Sequence, residues 1–154
     1  MKNLDTNLLK RFKSKILSDD FKNTGIIYRV NGGAPSERIE KEAVVNADGK
    51  VETIIHEDQL GVLAKGKKSI SLKDNEIKTL FKEVTNFIDQ LAADDSKFLP
   101  DSVIGSLSIQ IEGKDTIIGY FLPEEEERKV QNKFVDGNLS SVINKLESFF
   151  KKDG

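Results

Sequence analysis

Two stretches of the chain bring residues with chemical potential close together. Gly61-Val62-Leu63-Ala64-Lys65-Gly66-Lys67 fits G-x-x-x-x-G-K, in which backbone amides and a lysine cradle a phosphate at a helix N-terminus. Lys68 stands where that pattern needs a Ser or Thr to ligate magnesium, and Ser69 comes one place too late. The flanks, His56-Glu57-Asp58-Gln59 before and Ser69-Ile70-Ser71-Leu72 after, read as extended chain, so the strand-to-helix setting the chemistry requires is missing. The second stretch is His56-Glu57-Asp58. An imidazole beside carboxylates offers metal ligands and proton carriers, which makes a small hydrolase or ligand-binding enzyme built on His56, Glu57 and Asp58 one reading of the chain. Strand neighbours point to opposite faces, so His56 and Glu57 diverge if the strand continues that far, and a solvated strand end explains the same residues.

Other groupings hold less. There is no cysteine and one histidine, which excludes disulfides, zinc–thiolate and iron–sulfur sites, a cysteine nucleophile and a histidine-rich metal cage. No G-x-S-x-G elbow occurs, and Ser106 and Ser108 sit within a strand pattern. Glu124 to Glu127, followed by Arg128 and Lys129, lack the spaced oxygen ligands of a calcium loop and read as a solvated run. Lys65, Lys67 and Lys68 read as a basic loop tip. Asn138-Leu139-Ser140 fits a glycosylation acceptor, which has meaning only on a secretory route. No catalytic residue, metal or cofactor is assigned from the sequence.

The elements that position these groups follow from length and periodicity. With 154 residues, 37% hydrophobic and 32% charged, the chain can bury roughly 70% of its unfolded surface in a single α+β domain. Its 24 basic and 26 acidic residues leave a net charge of −2, which argues against nucleic acid or an anionic membrane as partner. No secretory leader or spanning segment is readable, so the cytoplasm is the expected compartment. Residues 1–23, with six basic and three acidic side chains, form a short N-terminal helical extension whose apolar stripe is Leu8, Leu9, Phe12, Ile16 and Leu17. Ile26, Tyr28 and Val30 alternate with Ile27, Arg29 and Asn31 in a strand expected to break at Gly32-Gly33-Ala34-Pro35.

A hairpin with a three-residue loop, Ala47 to Gly49, pairs Val45 with Val51, Ala43 with Thr53 and Lys41 with Ile55. The segment 60–72 reads as a small hairpin or a loose connection around Lys65 to Lys68. Ile77, Leu80, Phe81, Val84, Ile88 and Leu91 mark one face of a helix capped by Asp74 or Ser71. A second hairpin, Val103 to Leu122, is expected to turn at Gly113-Lys114 in the type II′ manner, pairing Ile109 with Ile118, Leu107 with Tyr120 and Ser106 with Phe121. A closing helix carries Leu139, Val142, Ile143, Leu146, Phe149 and Phe150, with Asn138 as its cap. The fold class is therefore an antiparallel sheet with two amphipathic helices packed on it and a short N-terminal helix.

This layout, with its double glycine Gly32-Gly33 closing the first strand and its Asp48-Gly49 turn, resembles emfourin-type protease-inhibitor domains over roughly residues 25–150. The chain departs in its longer first β region, its helical extension and its insertion from Glu124 to Asp136. The resemblance implies inhibition of a thermolysin-like metalloprotease through a loop formed by Asn31, Gly32, Gly33 and Ala34. Independently, Ile104, Ile117 and Phe121 are expected on the second face of the Val103–Leu122 hairpin. They offer an apolar patch to a protein partner or a second copy of the chain, unless the N-terminal helix covers them. The leading expectation is a non-enzymatic protein-binding or regulatory module.

Overall fold

Alternation at period two in the middle of the chain and at period 3.6 around it decides the architecture. A computed structural model of the protein describes residues 6–34, 37–59, 62–86, 103–121 and 137–150. The elements run α1 (Thr6–Leu17), β1 (Thr24–Ala34), β2 (Glu37–Asn46), β3 (Lys50–Gln59), β4 (Val62–Ser71), α2 (Asp74–Thr85), β5 (Val103–Ile111), β6 (Lys114–Phe121) and α3 (Gly137–Ser148). The strands form one six-stranded sheet in the order β4-β3-β2-β1-β5-β6, with every neighbouring pair antiparallel. This is the expected α+β class.

One face of the sheet presents Ile26, Tyr28, Val30, Ala43, Val45, Val51, Leu107, Ile109 and Ile111, all buried. Against it lie Leu8, Phe12 and Ile16 of α1, Ile77, Leu80, Phe81 and Val84 of α2, and Val142, Leu146, Phe149 and Phe150 at α3. Phe12 stacks on Phe81 at 6.1 Å between centroids, and Phe21 meets the same ring edge-on at 5.9 Å. Burying each such aromatic or large aliphatic side chain contributes about 1.5–3 kcal/mol, so this single core carries the fold. Leu17 falls outside the stripe expected of it and is 65% exposed. All three described helices share this face. The N-terminal helix therefore does not cover the second face of the β5–β6 hairpin.

Several local expectations need correction. β1 does not break at the glycines: it continues to Ala34, with Gly32 paired to Ile39 on one side and Val103 on the other. Gly32 and Gly33 hold φ of 134° and 100°, so they relieve backbone strain within a long strand rather than ending it. Residues 62–71 form one uninterrupted strand paired along its length to β3, so Lys65 to Lys68 are not a loop tip. From Val62 on, the G-x-x-x-x-G-K stretch lies in an extended edge strand, where its amides cannot wrap a phosphate; its Gly61 lies outside the described residues. The cap of α2 is Lys73, whose N–H donates to Glu76 Oε1 at 3.3 Å, and α3 begins at Gly137, one residue before the expected cap Asn138. Ile88, Leu91, Pro100 and the Glu124–Lys129 run lie outside the described residues, as does the side chain of Leu139.

The second hairpin turns one residue earlier than its glycine suggested. Glu112 (φ 51°) and Gly113 (φ 83°) are both left-handed, the type I′ geometry that matches strand twist. Glu112 tolerates this because its N–H donates to the Asn23 carbonyl at 2.9 Å, while its carboxylate lies 3.4 Å from Arg11. The register is then Ile111 with Lys114 and Ile109 with Thr116. A bulge at Leu107/Ser108 leaves Ile118 without a register partner, buried against the core, and pairs Ser106 with Tyr120 and Gly105 with Phe121. The first hairpin keeps the expected register, including Val45 with Val51, Ala43 with Thr53 and Lys41 with Ile55.

Gly49 closes that first turn at φ 98°, and its carbonyl accepts the Leu72 N–H at 2.7 Å, which ties the turn to the end of β4. A Cβ at this position would lie 2.6 Å from the Leu72 carbonyl oxygen. Gly49→Ala therefore combines a strained φ with a backbone clash, and urea unfolding should show a loss of about 2 kcal/mol or more. A second check concerns the corner between α1 and β1, where Asp20 accepts hydrogen bonds from Lys15 Nζ at 3.0 Å and the Lys22 N–H at 3.2 Å. The Lys15 bond first, then the Lys22 amide, hold its carboxyl below the ordinary value of 3.8. A lowered folded pKa gives support that is present above that value and is lost as pH falls through the folded one. The stability difference between wild type and Asp20→Asn should accordingly shrink on acidification below pH 3.8 and persist at neutral pH.

Candidate functional site

Because the described helices occupy one face, the opposite face of the sheet carries the candidate site. Strand alternation sends Gly25, Ile27, Arg29 and Asn31 of β1 to that face, and antiparallel register lines up their partners in rows across the strands. One row runs Asn31, Glu40, His56 and Lys65 from β1 through β4, with Ile104 of β5 as the next partner of Asn31. The adjacent row runs Arg29, Glu42, Ile54 and Lys67.

Two depressions lie between these rows. The first, about 200 Å³, is lined by Arg29, Val30, Asn31, Glu40, Lys41, Glu42, Ile54 and His56. The second, about 410 Å³, is lined by Ile54, Ile55, His56, Gly66 and Lys67. Sharing Ile54 and His56, they make one groove across the strands from β1 to the edge at β4. Three interstrand spacings set its length at about 14 Å.

Arg29 divides this groove from the rest of the face. Its Nε donates to Glu42 Oε2 at 2.9 Å and its Nη1 lies 3.7 Å from Asp115 Oδ2. Glu42 is on β2 and Asp115 on β6, so the side chain must cross over β5. Beneath that path Ile27 is 5% exposed and Ser108 is 0% exposed. On the groove side Ile54 stays 46% exposed. On this face the buried positions Ile27 and Ser108 lie on β1 and β5, and the exposed isoleucine lies on β3. Each of the two ion pairs is a third or more exposed and adds little stability, which makes shape their main contribution.

The expected site residues are brought together only in part. Asn31 and His56, which the sequence assigned to different readings, line the same depression. Gly32, Gly33 and Ala34 continue β1 as strand, with residues 35–36 left to connect it to Glu37, so they do not make the loop implied by the inhibitor resemblance. Ile117 is half-buried opposite Ser108. Ile104, the partner of Asn31, shares the open face with it, but the bulge pairs Phe121 with Gly105, the partner of Val30, so Phe121 takes a helix-face position and the three do not share one face as expected. Glu57 and Asp58 pair with Ile39 and Arg38, with Glu57 at a helix-face position, so the three residues His56, Glu57 and Asp58 do not converge. The side chains of Ala34, Glu57, Asp58, Ile104 and Phe121 lie outside the described residues.

Sequence reasoning missed Arg29, Glu40, Glu42, Ile54 and Lys67. A signal for two of them was present, since the register Lys41 with Ile55 already places Glu40 opposite His56 and Glu42 opposite Ile54. Among its described lining residues the groove has an imidazole, carboxylates, a guanidinium and the ammonium of Lys67 but no hydroxyl or thiol, while the Lys41 ammonium is turned to Glu147 on the helix face. No group of three His, Cys, Asp or Glu among the described residues is placed to hold a metal ion, and no helix among them is long and apolar enough to cross a membrane. A cavity of about 640 Å³ lies at the far end of the sheet among Phe21, Asn23, Asn46, Asp48, Gln110 and Glu112, and none of the expected site residues lines it. No family model matches this chain, and no curated protein is similar to it in sequence.

Ser108 Oγ is buried and has no hydrogen-bond partner among the described residues. A buried hydroxyl without a partner carries its full desolvation cost, so Ser108→Ala should raise stability by about 1 kcal/mol in chemical denaturation.

Proposed function

We propose that this protein is a non-enzymatic, inhibitor-like binding module that receives an extended segment of a protein partner in the groove between β1 and β4. The observation that carries this reading is Ile54, a large apolar side chain left 46% exposed in the middle of a folded sheet face. Around it stand Arg29, Glu42, His56 and Lys67, a charged rim about an apolar anchor, which is the arrangement of a protein-binding patch. The groove is also shallow and open along one side, unlike the enclosed pockets that surround small ligands. A cysteine-free chain suits a reducing compartment, and the cytoplasm is the proposed location.

A second reading, a small hydrolase or ligand-binding enzyme, draws on one observation: His56 and Glu40 are register partners that line the same depression. Against it stands the lack of a hydroxyl or thiol among the described lining residues.

The test uses immobilised wild-type protein and Ile54→Lys in parallel with a lysate of the native host. A protein retained by wild type and lost by Ile54→Lys is the expected result; identical captures would remove the reading. For the inhibitor-like form, stoichiometric addition to a thermolysin-like protease should suppress peptide hydrolysis, and full retained activity would exclude that form. If the partner is a second copy, sedimentation at high concentration should show a species heavier than the 17.2 kDa chain. Ester hydrolysis that disappears in His56→Ala would favour the enzyme instead.

A further inference from the structure

The groove ends at β4, and β4 is an edge. It pairs with β3 through ten residues and has no strand on its other side among the described residues. An edge strand presents a row of backbone N–H and C=O groups that can pair with another chain. Three features set what could pair here. Lys65, Lys67 and Lys68 give the strand three basic residues and no acidic one. Lys65 and Lys67 share the open face by alternation, and Lys67 is exposed. Between them Gly66 is exposed on its helix-face position, and a Cβ built there meets nothing within 4 Å.

From these we infer that β4 accepts an acidic, extended segment of a partner protein as a seventh strand, with acidic side chains opposite Lys65 and Lys67 and an aromatic residue opposite Gly66. Strand addition supplies the main-chain hydrogen bonds, and the alternate side chains supply the selection. Opposite charges across a strand pair stabilise it and like charges oppose it. An aromatic ring laid across a strand glycine covers the backbone that the missing side chain leaves open. Glu52, opposite Ser69 and diagonal to Lys67, lies 3.7 Å from Lys50 Nζ and so has a cation of its own. Lys68 leans to the helix face, where its Nζ donates to the Phe150 carbonyl at 3.3 Å, which leaves the exposed Lys67 on the open face to read the partner. A second copy of this chain is the wrong occupant. Antiparallel pairing of two β4 edges about Gly66 sets Lys65 against Lys67 twice over, a like-charge clash.

This inference rests on the binding-module reading and names the chemistry of the partner. The probe is a capped synthetic peptide, Thr-Val-Glu-Phe-Glu-Val-Thr, titrated into the full chain at low salt while backbone amide shifts are followed by NMR. The expected result is saturable binding with shifts centred on residues 62–71 and an affinity that falls with added salt. The same peptide with both glutamates replaced by lysine should bind at least about tenfold more weakly. Gly66→Val, which fits the open space, should keep the thermal midpoint of the wild type and weaken the acidic peptide about fivefold, because the ring can no longer lie on the backbone. Equal binding of the two peptides, shifts centred away from β4, or no binding at all would each overturn the inference. A silent peptide removes the edge and leaves the groove reading intact. Capture that is indifferent to Ile54→Lys removes the groove reading, and this inference with it.

Discussion

The carboxylate of Glu147 ties the helix layer to the sheet, and the placement of everything else follows from it. Near the end of α3, Glu147 accepts a hydrogen bond from the Tyr28 hydroxyl of β1 and another from Lys41 Nζ of β2 at 2.6 Å. The same ammonium sits 5.0 Å over the Phe150 ring, and Tyr28 lies 6.1 Å from that ring. Lys68 Nζ, from β4, reaches the Phe150 carbonyl. Two lysines therefore meet the C-terminal end of α3, where the helix dipole favours cations. Hydrogen bonds to a charged group contribute about 1.5–3 kcal/mol each when shielded, and the Lys41 side chain is only 14% exposed. Removing one partner would leave another charge partly buried, so the cluster locks α3 in register with three strands at once.

Once α3 is fixed there, α2 and α1 complete the same layer: Phe81 is held between Phe12 and Phe21, and Lys145 of α3 reaches Glu76 of α2 at 3.2 Å. The described helical apolar surface is spent on one side of the sheet. The other side must then be built from strand residues that tolerate water or cover one another. This is why its composition is mixed, with Ile27, Val44 and Ile54 set among Arg29, Glu42, Glu52, Ser106 and Ser108, in contrast to the continuous apolar rows that meet the helices.

Much of this was legible in the sequence, for identifiable reasons. Ile26, Tyr28 and Val30 declared a buried strand face by alternation, and Ile77, Leu80, Phe81 and Val84 declared a helix by their spacing. The Asn46 to Gly49 turn allowed only one register that kept Ala43, Val45 and Val51 together. What was not legible depended on contacts between distant segments. Glycine and proline beyond Asn31 read as a stop, yet β2 and β5 on both sides supply ladder partners that carry the strand through Gly32 and Gly33. Gly66 and three lysines read as a loop until β3 is present to pair with them. The left-handed Glu112 is met by Asn23 and Arg11, both far earlier in the chain, so no local pattern could reveal it. The groove was half visible, because the hairpin register fixed the neighbours of His56, while the part played by Arg29 required knowing that β6 lies two strands away.

That last point explains why the open region faces β4 and not β6. Arg29 leans from β1 toward Asp115, away from the β4 edge, while Glu42 anchors its other nitrogen. Ile27 and Ser108 on that side are buried, and the bulge at Leu107/Ser108 adds twist at the same place. On the opposite flank of the same row stands Ile54, whose register partner Lys67 at the edge is solvated and leaves it 46% exposed. An arginine held by acids on both sides at β1 and a solvated lysine at the β4 edge thus stand at the two ends of one row, with opposite outcomes on a single sheet face. The exposed isoleucine lies at the lysine end of that row.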